Sequence, residues 1–89
     1  MLHAREDYQC IQDPSGKIPV NEPVFLIRGQ DALGADILRI YANLAGHISA
    51  DPELIKRTLE QADRMEAWPT KKIPDLPADE EDITVFLLS

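Results

Sequence analysis

The chain has 89 residues, with 16 acidic and 9 basic side chains, a net charge of −7 and a single cysteine. That charge argues against a general nucleic-acid binder, which needs a basic face, and one cysteine leaves no internal disulfide framework. No apolar run approaches the roughly 20 residues that span a bilayer, and Met1–Asp7 holds no leader-like stretch, so the expected location is the cytoplasm.

An apolar share of 44% favours a folded domain over disorder. In chain order, Asp13-Pro14-Ser15-Gly16 is a turn signal: Asp caps, Pro presets φ and Gly tolerates a positive φ. It lies between Tyr8–Gln12 and Lys17–Val20, which suggests a short hairpin with Pro19 on an edge. Val24-Phe25-Leu26-Ile27-Arg28 reads as a buried strand between Pro23 and Gly29.

Asp31 then reads as a helix N-cap, and Leu33, Ile37, Ile40, Tyr41 and Leu44 recur at helical spacing, predicting an amphipathic helix over 32–46. Gly34 weakens it and Gly46 stops it. A second helix over 52–67 starts at Asp51-Pro52-Glu53 and ends before Pro69. Its stripe is Leu54, Ile55, Leu59, Ala62 and Met65, with Glu53–Arg57 and Glu60–Arg64 as i,i+4 pairs.

The two helices form an αα-hairpin. The fold class expected is α+β, with that hairpin packed on a small sheet. Residues 1–76 form one domain, and 77–89 add an acidic run, Asp79-Glu80-Glu81-Asp82, and a strand-like end, Ile83–Leu88. The expected core comprises Phe25, Leu26, Ile37, Ile40, Leu44, Leu59 and Met65. Two apolar strands with open edges predict a homo-oligomer, with 83–88 at the contact.

Candidate chemistry is sparse. His3, Cys10 and His47 have no metal-ligand spacing, so no metal is expected. Cys10 lacks a fixed base and reads as a buried or half-buried thiol rather than a nucleophile. Asp63 and Glu66 share a helix face, which suits acid–base work but more simply makes a solvated surface. No phosphate loop or other cofactor motif is present, and the protein is expected not to be an enzyme.

The candidate ligand site is the turn after residue 28. Arg28 supplies a planar charged fork, Gly29 close backbone access, Gln30 both donors and acceptors, and Asp31 begins the helix. Tyr8 and Trp68 offer stacking faces, while Lys17, Lys71 and Lys72 offer cations for phosphate. The plainer alternative is an Arg28–Asp31 ion pair that locks the turn.

Glu22-Pro23-Val24-Phe25-Leu26-Ile27-Arg28-Gly29-Gln30-Asp31 and Ala62-Asp63-Arg64-Met65-Glu66-Ala67-Trp68 resemble stretches of small uncharacterised phage and prophage proteins. Tyr8–Pro14 is similar to their N-terminal region. The likeness spans about residues 5–76 and implies no activity, only that a viral accessory role is plausible.

The expected function is therefore a non-enzymatic accessory protein that antagonises a host defence by sequestering a nucleotide-like signal. An acidic inhibitor docking on a basic host protein, such as a nuclease, is the alternative, and a virion assembly protein is a further one. Direct nucleic-acid and membrane contacts are not expected.

Overall fold

The computed structural model describes residues 1–77. The chain divides into two compact units, Ile27–Pro74 and Met1–Leu26 with the described residues from Asp75. The class is α+β: two packed helices and a small two-stranded parallel sheet.

In the N-terminal unit, β1 (Leu2–His3) pairs in parallel with β2 (Pro23–Val24), Leu2 opposite Pro23 and His3 opposite Val24. The predicted strand over 24–28 is thus shortened to its first residue plus Pro23, and Phe25–Arg28 carry no ladder. Among the described residues the only paired neighbour of β2 is β1, and the strand-like end over 83–88 lies outside them. Phe25 is 72% exposed, not buried.

The turn at 13–16 forms as expected, with Gly16 at φ 69° and its N–H donating to Asp13 O at 3.1 Å. The hairpin around it does not. Asp13 Oδ1 accepts from the Ser15 N–H and hydroxyl, and Oδ2 from the N–H groups of Lys17 and Ile18. Asp13 thereby takes up N–H groups at the start of the segment expected to form the second strand. Tyr8 instead ends a 3-10 turn, Glu6–Tyr8.

This hydrogen-bond set, led by the Ser15 hydroxyl, holds the Asp13 carboxyl below its ordinary value. A carboxyl depressed on folding stabilises the fold above its unfolded pKa, and that stability is lost as pH falls through the folded value. Asp13→Ala is therefore expected to lower the Tm near neutrality. The variant and wild-type melting curves should converge as pH falls from about 5 to about 2.

In the helical unit, α1 (Gly34–His47) and α2 (Pro52–Ala67) pack against each other. The second helix has the bounds its sequence predicts: Asp51 Oδ1 accepts from the Glu53 N–H, Pro52 opens the helix and Trp68 turns extended before Pro69. Glu53 pairs with Arg57 at 3.1 Å, but Arg64 donates to Gln61 rather than meeting Glu60.

The first helix starts two residues later than Asp31 implied. That carboxylate caps the preceding turn by accepting from the Leu33 N–H at 2.8 Å, and the helix follows from Gly34. Its end lies past Gly46. Ser49 takes the left-handed conformation, φ 57°, while the N–H groups of Ala50 and Ser49 donate to Ala45 O and Gly46 O. That is the Schellman arrangement, with serine where glycine is usual.

The core differs from the expected one. Buried apolar residues are Tyr8 in the N-terminal unit and Ala42, Ala45, Ala62 and Met65 in the helices, with Gly34 buried beside them. Leu26, Ile37, Ile40, Leu44 and Leu59 are exposed, and of the residues assigned to the core only Met65 is buried. The helices meet through small side chains, which lets their backbones approach closely. On α1 that seam lies roughly 100° around the axis from the large apolar stripe.

Candidate functional site

The turn from Arg28 to Asp31 is a fixed object. The Asp31 N–H donates to Arg28 O at 3.0 Å. Residues after α2 fold back on it: the Lys72 N–H donates to Gln30 O at 2.7 Å and the Ala32 N–H to Lys72 O at 2.9 Å, a parallel bridge between Asp31 and Lys72. Gly29 packs beside Trp68, where a Cβ would make ordinary contact, 3.5 Å from Trp68 Cβ.

Lys71 sits across the same turn. Its Nζ donates to Gly29 O at 3.0 Å and to Met65 O in the last turn of α2. A cation at a helix C-terminus satisfies an orphan carbonyl and complements the dipole. Lys71 is thus already engaged in holding turn and helix together.

Arg28 remains exposed, and among the described residues its guanidinium has no hydrogen bond or ion pair. The Arg28–Asp31 pair considered from sequence is not formed, because the Asp31 carboxylate is turned to the Leu33 N–H. Trp68 is 56% exposed, and Gln30 and Asp31 are half-buried. The helical unit therefore groups Arg28, Gln30, Asp31, Trp68, Lys71 and Lys72 around one turn.

Tyr8 and Lys17 belong to the N-terminal unit. Tyr8 is only 9% exposed; Arg5 Cζ lies 4.8 Å over its ring and His3 meets it edge-on. Its stacking face is occupied by its own unit. The Lys17 N–H is bound to Asp13, and its residue is exposed.

Asp63 and Glu66 are not a free acidic pair. Arg39 of α1 reaches across the hairpin, Nη1 to Glu66 at 2.8 Å and Nη2 to Asp63 at 3.2 Å, with Asp36 at 3.9 Å. The hydrogen bond from Arg39, then its charge, holds the Glu66 carboxyl below its usual range. Sequence reading missed Arg39; its register opposite 63 and 66 was the available signal once the hairpin was recognised.

Cys10 is exposed rather than half-buried, since the 3-10 turn before it leaves its side chain at the surface. His3 Nε2 donates to Ile11 O at 2.7 Å, and His47 Nε2 meets Asn43 Oδ1 at 2.9 Å. Among the described residues no group of three His, Cys, Asp or Glu is placed to hold a metal ion. No described helix is long and apolar enough to cross a membrane.

A shallow groove of about 380 Å³ lies elsewhere on the helical unit. Ile27, Ile37, Leu38 and Tyr41 line it on one side and Arg57, Thr58 and Gln61 on the other. Comparison of the chain with family models, curated proteins and solved structures finds no match.

Proposed function

We propose that this is a non-enzymatic binding protein that holds a small anionic, ring-bearing ligand of the nucleotide class at the Arg28–Trp68 turn. The observation that carries the reading is an exposed guanidinium, without a partner among the described residues, on a turn that packs against a half-exposed indole. Arginine suits phosphate through its planar fork, and an indole face suits a base. The turn is pinned by Lys71 and Lys72, so little ordering entropy is lost on binding. Together with the resemblance to phage and prophage proteins, this supports an accessory role in which a host's nucleotide-like signal is sequestered.

A thermal-shift series with mononucleotides, cyclic dinucleotides and inorganic phosphate tests it. A specific ligand at about 100 times its Kd adds about 2.7 kcal/mol to stability. Arg28→Ala is expected to abolish that shift while changing the unliganded stability by less than about 0.5 kcal/mol, as for other surface substitutions. A loss of unliganded stability with ligand response retained would assign Arg28 to the fold instead.

A second reading, docking on a basic host protein, is favoured by the net charge of −7 and by exposed Glu53, Glu60 and Asp63 along α2. Complementary charge chiefly raises the association rate. Capture of a basic host protein that fails at high salt, with no ligand shift, would select this reading. The acidic run 79–82 lies outside the described residues.

A further inference from the structure

We propose that α1 is a self-association face on which a second copy of the chain docks antiparallel, giving a two-fold dimer. The surface is the large apolar stripe that the hairpin leaves uncovered: Leu33, Ile37, Ile40, Tyr41, Leu44 and Ile48, each between 41% and 80% exposed. At 3.6 residues per turn these six fall within a band roughly 100° wide, so the patch is continuous.

The area is that of an interface. Only Tyr41 is aromatic, and Leu and Ile expose less than the roughly 150–250 Å² of an aromatic side chain, so the stripe leaves on the order of 500 Å² of apolar surface per copy. Pairing two copies buries on the order of 1,000 Å², the threshold for a specific contact, before any rim is counted. Monomers rarely carry a continuous apolar patch of more than a few hundred Å². The groove beside it shares Ile37 and Tyr41, which extends the apolar surface toward α2.

The occupant follows from the pattern. The stripe reads alike in both directions about the midpoint between residues 40 and 41: Ile40 mirrors Tyr41, Ile37 mirrors Leu44 and Leu33 mirrors Ile48. A second copy therefore meets large side chains along the whole stripe, and the rim fixes the direction. A two-fold contact requires this self-complementarity.

The rim agrees. Asp36 and His47 border the stripe on the same side, one near each end of α1. Antiparallel pairing brings Asp36 of one copy within about two residues' rise of His47 in the other, and opposes the helix dipoles favourably. Parallel pairing would leave Asp36 and His47 about 16 Å apart along the axis and on opposite borders. The dimer is independent of the ligand reading and uses a different element from the segment 83–88.

Sedimentation equilibrium of the full chain, from micromolar to hundreds of micromolar, should approach twice the 10.0 kDa chain mass. Ile40→Asp should weaken association at least about tenfold while helicity stays unchanged, because Ile40 is exposed in one copy. Cross-linking keeps the test decisive if that variant misfolds. In a Cys10→Ser background, Ile40→Cys should oxidise to a disulfide dimer. Leu33→Cys should not, since its two copies would stand about 22 Å apart along the helix. A 10.0 kDa mass throughout, a dimer indifferent to Ile40→Asp, or equal cross-linking of both cysteine variants would each overturn the proposal.

Discussion

Ala62→Asp is expected to unfold the helical hairpin under conditions where the wild type is folded. Ala62 is fully buried, 0% exposed, in the seam where α2 meets α1. A carboxylate there would be desolvated, and the other buried side chains of the hairpin, Ala42, Ala45 and Met65, carry no donor. Leaving a buried charge uncompensated costs about 3–5 kcal/mol. A domain of this size has roughly 5–10 kcal/mol of stability in total. The extra bulk adds strain, since small residues set the spacing of the seam. Urea titration followed by helical circular dichroism measures the effect. The deficit should shrink at low pH, where the introduced group is protonated. An unchanged midpoint would mean that the seam does not exclude water.

Met65→Ala should cost about 2–5 kcal/mol, as truncation of a well-packed core side chain does. Met65 is 6% exposed and is the largest apolar side chain buried in the helical unit. Its Cε lies where a Cβ at Gly34 would be only 2.6 Å away. The flexible end of Met65 can swing aside, but Arg28 O is backbone and would stand 3.1 Å from the new methyl, so Gly34→Ala alone is expected to destabilise by about 1 kcal/mol. Combining the two relieves part of each defect, since the new methyl enters space the methionine vacates. The double variant should be more stable than the sum of the singles by at least about 0.5 kcal/mol in a double-mutant cycle. Rescue stays partial because the same methyl would stand 3.1 Å from Arg28 O. Strict additivity would show that Met65 can move away from Gly34 without cost.

What the sequence disclosed follows from how local each signal is. Asp51, Pro52 and Pro69 define the second helix through contacts within one turn, and the bounds matched. The turn at Asp13–Gly16 is equally local. The side chains assigned to the core were misplaced because periodicity marks a face as apolar without saying what covers it. Gly34, read as a weak point in the helix, is where α1 admits Met65. The spacing of Gly34, Ala42 and Ala45 opposite Ala62 was the clue to a small-residue seam. At the candidate site, Arg28, Gln30 and Asp31 were identifiable as a turn before a helix. The engagement of Lys71 with Gly29 depends on a contact 42 residues apart in sequence and leaves no local mark. Tyr8 looked available for stacking only because its partners, Arg5 and His3, carry no pattern that announces them.

The four-residue link between α1 and α2, closed by Ser49, bears on the order of folding events. Both helices can meet after closing only a minimal loop, so their contacts are among the most local in the chain. The pairing of β1 with β2 is the opposite case: Leu2 must find Pro23 across a loop of roughly 20 residues, for a ladder two residues long. Little ladder enthalpy opposes that closure entropy. The hairpin is therefore expected to form early, and among the described elements the parallel strand pair is expected to form last and open first. In native-state hydrogen exchange the amides of Leu2 and Val24 exchange through local opening. Those of Ala62 and Met65 exchange only when the whole hairpin unfolds.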